Sequence, residues 1–286
     1  MRNSYFTLLS LFFACLLTAC NSNKEKGNQI MVTIEPQRYF AEQLAQPFFS
    51  VSTMVPQNNS PETYDPTPNQ MAELNHYKAY WAIGGLGFEN TWLRNIQKNI
   101  PKLHFFKTSK GIVPIVNHID HGDHSHDSMD PHIWTSPNGA KIMVQNMYES
   151  LLDLDPDNKD TYAENLQKVN DRITRVDEKI KAYLANSTQR AFIIYHPTLS
   201  YFARDYGLVQ HCIEADGKEP SPEQLKNIIR IAQEENIRTV FVQEEFDKKN
   251  AETIAKETGT NLVVINPLSY NWEEEVIKIA QALANE

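Results

Sequence analysis

Five of the nine histidines in this 286-residue chain fall between Asn117 and Trp134, in the run Asn-His-Ile-Asp-His-Gly-Asp-His-Ser-His-Asp-Ser-Met-Asp-Pro-His-Ile-Trp. His118, His121, His124 and His126 come with Asp120, Asp123, Asp127 and Asp130, with one glycine and no core-forming run among them. Imidazole nitrogens and carboxylate oxygens are the donors of divalent-metal sites, and a segment of this composition has little to bury. The expectation is a solvated loop over residues 117–130 that attracts divalent cations. At its end the texture changes. Asp130-Pro131-His132-Ile133-Trp134 is apolar, stiffened by proline and followed by a helical pattern. One stretch thus holds two kinds of histidine: a loose cluster, and His132, which is built in.

Donors on loops need elements to position them. In the first half, residues 30–34, 48–55, 79–83, 103–106 and 112–116 are short, apolar and rich in β-branched or aromatic residues, and read as strands. Helical patterns open at Pro36 and span residues 68–75 and 89–99. Four prolines in the thirteen residues from Pro56 to Pro68 predict a connection of fixed shape. A helix beginning at Pro137 carries Ile142, Met143, Met147, Leu151 and Leu152, and is interrupted at Asp155-Pro156-Asp157. From about Lys159 to Asn186 runs one long helix. Tyr162, Leu166, Val169, Ile173, Val176, Ile180 and Tyr183 recur on it at alternating intervals of 4 and 3. At about 1.5 Å per residue it reaches roughly 40 Å, longer than one small domain, which predicts a strut between two lobes.

The second half repeats the strand–helix rhythm. Strands are predicted at residues 191–195, 208–213, 239–242 and 261–265. Helices are predicted at 199–206 (closed by Gly207), from Ser221 to about 235, at 247–258 (closed by Gly259) and at 271–283. This alternation predicts an α/β fold: two Rossmann-like lobes with parallel sheets, joined by one long rigid helix. The division is residues 29–155, 156–187 and 188–286.

Ligands of open α/β sheets bind beyond the carboxyl ends of strands. Three donors stand there, each next to a proline: Glu62 after the second strand, His132 in the loop after residues 112–116, and His196 ending the first strand of the second half. A lone histidine at a strand end is commonly a hydrogen-bonded structural residue. Two imidazoles with a carboxylate are a suitable zinc set.

Net charge is −9, which argues against a nucleic-acid partner, and 41% hydrophobic with 22% charged residues is an ordinary globular balance. Arg2, the apolar run over residues 5–17 and Thr18-Ala19-Cys20 form a signal peptide (residues 1–19), too short for a spanning helix. Residues 20–28 are a polar tether. Of the three cysteines, Cys15 would leave with the signal, and Cys212 reads as a small apolar residue.

Leu17-Thr18-Ala19-Cys20 resembles a bacterial lipobox, which implies cleavage before Cys20 and lipid on its thiol. Pro-Glu-Thr-Tyr-Asp-Pro-Thr-Pro (Pro61 to Pro68), Asp-Pro-His-Ile-Trp (Asp130 to Trp134), Tyr-His-Pro (Tyr195 to Pro197) with its aromatic helix, and the long linker helix together resemble the receptors of metal-importing ABC transporters. Within these they resemble the zinc-binding, ZnuA-like solute-binding lipoproteins (cluster A-I), over nearly the whole mature chain.

The resemblance implies a monomeric receptor in the periplasm or cell envelope, anchored to the membrane by lipid. It would deliver Zn²⁺ as transported ligand from an inter-lobe cleft to an ABC permease and its ATPase. It carries the metal role to His132 and His196. Glu62 stands where the family usually has histidine, which makes the site harder and admits Mn²⁺ as an alternative cargo. The aspartate of the manganese branch is replaced near Asn271, which favours zinc. The fourth ligand is left open between water and an oxygen donor, with Gln243, Glu244 and Glu245 within topological reach. His118, His121, His124 and His126 are then accessory, either capturing metal or merely solvated. Two rival readings remain: a zinc-dependent hydrolase, since three protein ligands plus water also describe a catalytic zinc, and a storage or adhesion lipoprotein.

Overall fold

The computed structural model describes residues 28–121, 124–214 and 218–284. The predicted signal peptide, Cys20 and nearly all of the tether lie outside them. Two four-stranded parallel sheets form the frame. The first contains β1 (Gln29–Val32), β2 (Ser50–Thr53), β3 (Ala79–Ala82) and β4 (His104–Lys107), in the order β2-β1-β3-β4. A two-stranded antiparallel hairpin follows, β5 (Val116–His121) and β6 (His124–Met129). The second sheet contains β7 (Ala191–Ile194), β8 (Val209–Cys212), β9 (Thr239–Gln243) and β10 (Asn261–Ile265), in the order β10-β9-β7-β8. Counted within its own half, each sheet has the same strand order. Each therefore has a switch point where successive connections leave in opposite directions: between β1 and β3, and between β7 and β9.

Helices cover both faces of each sheet, so the strands are apolar on both sides rather than alternating with polar residues. Ile30 and Val32 of β1 and Ala79 and Trp81 of β3 point to a central core, as do Phe192 and Ile194 of β7 and Phe241 of β9. Met31, Tyr80 and Ala82 point outward to α2 (Pro68–Glu73) and α3 (Gly87–Asn99). Ile193, Val240 and Val242 point outward to α7 (Pro222–Glu234) and α8 (Lys249–Thr258), whereas α6 (Ser200–Tyr206) packs into the central core. The period of two along each strand sorts side chains between these cores.

The central core is shared by both halves. The long helix α5 (Lys159–Leu184) packs against α1 (Glu35–Ala45) and α4 (Pro137–Leu154) of the first half and against α9 (Trp272–Ala284) of the second. Tyr162, Val169, Ile173, Val176 and Ile180 of its stripe are buried. The stripe ends one turn early: Tyr183 is 40% exposed, and its hydroxyl accepts from Gln281. Further bonds cross between the halves. The Trp272 indole N–H donates to Trp134 O at 2.6 Å, and that of Trp134 donates to Pro267 O at 2.8 Å. Among the described residues no helix is long and apolar enough to cross a membrane.

Two expectations are corrected. Residues 112–115 are not a strand. Pro114 offers no N–H, Ile112 N closes a turn on Ser109 O, and Ile115 pairs instead with Asp130 N and the Tyr201 hydroxyl, so β4 stays the sheet edge. The His-rich segment is a hairpin rather than a loop: its backbone pairs with itself, His118 opposite Asp127 and His121 opposite His124. Low apolar content removes a hydrophobic reason to form strands, but backbone pairing needs none.

Candidate metal centre

Glu62 sits in the proline-rich connection between β2 and α2. That connection is fixed at its far end by a capping box, Thr67 with Gln70, and Gln70 also reaches back to Met54 O at 2.9 Å. Glu62 itself is held by the start of α3. Phe88 N donates to Pro61 O at 2.8 Å, and Gly87 N donates to Glu62 Oε2 at 2.9 Å. The carboxylate thus meets the positive end of a helix. The chains approach so closely that a Cβ on Gly87 would lie 2.2 Å from Glu62 O. The turn before α3 is shaped from inside by Glu89, which accepts from Ile83 N at 2.8 Å, Gly84 N at 2.6 Å and the Thr33 hydroxyl at 2.6 Å. Burial pushes its carboxyl above the usual range. With Oε2 anchored, the other oxygen of Glu62, Oε1, is buried without a hydrogen-bond partner among the described residues.

His132 lies between the hairpin and a 3-10 turn (Ile133–Thr135) that leads into α4. Asp130 Oδ1 accepts from both His132 N (2.9 Å) and His132 Nδ1 (2.8 Å). The second half grips the same segment: the Tyr201 hydroxyl donates to Asp130 O at 2.9 Å, and the Thr135 hydroxyl lies 3.0 Å from Thr198 O. Burial pulls the His132 imidazole down, but the charge and hydrogen bond of Asp130, then Glu62 and Glu245, outweigh it and the net shift is upward. Burial pushes Asp130 up, and His132 outweighs that, so its carboxyl is held below the usual value.

His196 follows β7 directly. Gln243, at the end of neighbouring β9, holds its main chain: His196 N donates to Gln243 Oε1 at 3.3 Å, and Gln243 Nε2 donates to His196 O at 2.6 Å. Glu214 takes its Nδ1 at 3.0 Å, and the Phe246 ring stacks on its imidazole at 5.3 Å between centroids. Its Nε2 is buried with no hydrogen-bond partner among the described residues. A carboxylate only accepts, so Nδ1 is the donor on both rings and Nε2 is the nitrogen left to meet a metal.

The two rings face each other across 5.3 Å at 79°. With Glu62 and Glu245 they line one cavity, walled by Trp134 and Phe246. Its free space is about 10 Å³, close to that of one water-sized particle. Among the described residues no three His, Cys, Asp or Glu side chains are drawn in tightly enough to enclose an ion as they stand.

The structure thus brings Glu62, His132 and His196 together. The backbone of His118, His121, His124 and His126 lies on the hairpin; their side chains, and everything at 122–123, fall outside the described residues. His211 is paired with Glu235 at 2.9 Å, and His76 and His104 are exposed. Cys212 is half-buried, and burial pushes its thiol up to about 12. Sequence reasoning missed the groups that aim the donors. Asp130 had a signal in its Asp-x-His spacing. Glu214 and Gly87, 18 and 25 residues from their partners, had none.

The chain is 28% identical to the high-affinity zinc uptake system protein ZnuA of Bacillus subtilis (strain 168), over 93% of this chain and 90% of that protein. A crystal structure of ZnuA superposes with a TM-score of 0.84 at 37% identity, covering 91% of this chain and 98% of that one. A ZnuA deletion mutant with zinc bound gives 0.83 at 37% identity, covering 91% and 97%. The model of the family described as zinc-uptake complex component A, periplasmic (ZnuA), matches residues 30–284, and the chain belongs to that family.

Proposed function

We propose that this chain is an extracytoplasmic receptor that binds Zn²⁺ as cargo through Glu62, His132 and His196 and hands it to an ABC permease for uptake. One observation carries the assignment. Three donor residues line one small cavity: the Nδ1 atoms of both imidazoles are held by carboxylates, which leaves Nε2 as the nitrogen available to a metal, and Glu62 carries a buried Oε1 with no hydrogen-bond partner among the described residues. Outer-shell carboxylates fix the orientation of both imidazoles, as in zinc sites generally. Mn²⁺ is the alternative cargo, because Glu62 hardens the site.

The remaining expectations follow the same reading. Residues 29–155 and 188–286 act as lobes about a linker at 156–187. A lipid on Cys20 anchors the monomer in the cell envelope. The hairpin histidines collect metal near the cleft. The bonds between Trp272, Trp134 and Pro267 oppose wide opening.

The test is the double variant H132A/H196A of the mature chain. Calorimetric titration should show the tight zinc site gone while the circular dichroism spectrum and thermal transition persist. Tight binding that survives in this variant would remove the assignment.

A further inference from the structure

The turn after β9 holds the group that completes the site. Three candidate oxygen donors stand there in sequence, and the structure separates them. Gln243 is fully buried and spends both ends of its amide on the His196 main chain and the Thr198 hydroxyl. Glu244 is exposed and turned away, accepting from Asn266 Nδ2 at 2.8 Å. Glu245 lines the cavity with Glu62, His132 and His196. No other residue's side chain bonds its carboxylate among the described residues.

The turn is fastened to His196 on both sides of Glu245. Gln243 clamps the His196 backbone, Phe246 stacks on the ring, and Phe246 N closes the turn on Gln243 O at 3.2 Å. The spacing between Glu245 and His196 is therefore set by the same contacts that place the imidazole. Both lie at the β7/β9 switch point, where an open α/β sheet presents its ligand groups.

We propose that Glu245 is the fourth ligand of the bound ion and the residue that broadens the site towards harder divalent cations. The proposal rests on the cavity being the cargo site. Each half then supplies one imidazole and one carboxylate: His132 with Glu62, His196 with Glu245. The carboxylates of Asp130 and Glu214 behind the imidazoles, with Glu62, already offset the charge of a divalent ion, so Glu245 matters here as a donor atom. A second carboxylate also raises the oxygen share of the donor set. Zinc accepts nitrogen, sulfur and oxygen, while Mn²⁺ favours oxygen, so losing Glu245 weakens Mn²⁺ more than Zn²⁺.

The experiment compares wild type, E245Q, E245A and H132A/H196A as mature chains. Each is titrated separately with Zn²⁺ and Mn²⁺ against a competing chelator. Visible absorption with one equivalent of Co²⁺ reports the coordination sphere. The expected result is a fall in zinc affinity of at least about tenfold in both Glu245 variants, the lower end of what losing even an outer-shell partner does. A larger fall for Mn²⁺ and an altered Co²⁺ spectrum should accompany it. Thermal transitions of the metal-free proteins establish that the near-isosteric E245Q is folded. If H132A/H196A loses binding while both Glu245 variants keep wild-type affinities and spectrum, Glu245 is not a ligand and the cargo-site reading stands. Equal losses for the two metals would overturn the selectivity role alone. If H132A/H196A keeps the tight site, both readings fall together.

Discussion

The replacement of Gly87 by alanine isolates the contact that aims Glu62. Gly87 is not in the left-handed region, so alanine brings no backbone strain there and the conflict is purely steric. The new Cβ would lie 2.2 Å from Glu62 O, 2.8 Å from its carbonyl carbon and 2.9 Å from its Cα. These are backbone atoms, which cannot rotate away. Ordinary contact between such atoms needs more than 3 Å, so the start of α3 and the Glu62 loop must separate by roughly 1 Å. Metal–ligand distances tolerate only about 0.2 Å, and the displaced carboxylate leaves the coordination sphere. Overpacking of this kind costs about 1–3 kcal/mol of stability, and zinc affinity should fall at least about tenfold, or roughly 1.4 kcal/mol. The assay is chelator competition for zinc, with thermal unfolding measured on metal-free protein, because bound metal itself raises the transition. A double-mutant cycle adds the decisive comparison. If Gly87 acts through Glu62, the pair G87A/E62A binds zinc no more weakly than E62A alone. A folded G87A protein with wild-type affinity, or fully additive losses, would refute the reasoning.

Other consequences follow from the same geometry. With His132 Nε2 as a zinc ligand, as proposed, the ion must displace any proton there, so affinity should decline as pH falls through the raised value of that imidazole. The decline starts at a higher pH than the about 6.5 of an ordinary histidine. D130N removes the charge that raises it, so titrations across pH should show the onset move lower, with affinity at neutral pH reduced about 10- to 100-fold. In the metal-free protein the depressed Asp130 carboxyl contributes stability that is present above its ordinary value of 3.8 and lost as pH falls through its lowered one. The raised His132 contributes stability present below about 6.5 and lost as pH rises through its folded value. Denaturant melts should therefore place the pair's contribution at mildly acidic pH, and D130N should flatten it. Deleting residues 118–126 should leave one tight zinc site per chain by calorimetry and remove only weaker ones; loss of the tight site would give the hairpin the primary role.

Much of the frame was legible because it rests on patterns local in sequence. The alternation of strands and helices, the 4-3 intervals along α5, the Ser221 cap and the glycine stops at Gly207 and Gly259 are short-range signals, and the structure places elements there. The stretch at 112–116 misled because β-branched content is a weak guide where a proline and a side-chain hydroxyl compete for the backbone. His132 and His196 were legible as candidate donors beside prolines at strand or loop ends, and the structure places both at one cavity. Their aim was not, because it depends on partners distant in sequence: Glu214 for His196, Gly87 for Glu62. Among Gln243, Glu244 and Glu245, sequence offered no means of choice. Only the turn shows that the first clamps a backbone, the second faces Asn266 and the third faces the cavity.

The central claim is the identity of the atoms around the cargo ion, and X-ray absorption at the zinc edge reads them directly. The measurement is made on mature protein carrying one equivalent of Zn²⁺, with H132A/H196A alongside. The account predicts two imidazole nitrogens at about 2.0–2.1 Å with the remaining ligands oxygen at about 2.0–2.2 Å, and loss of the imidazole scattering in the double variant. A sphere of three or more imidazoles, or an unchanged spectrum in H132A/H196A, would place the ion on the hairpin histidines and contradict the account.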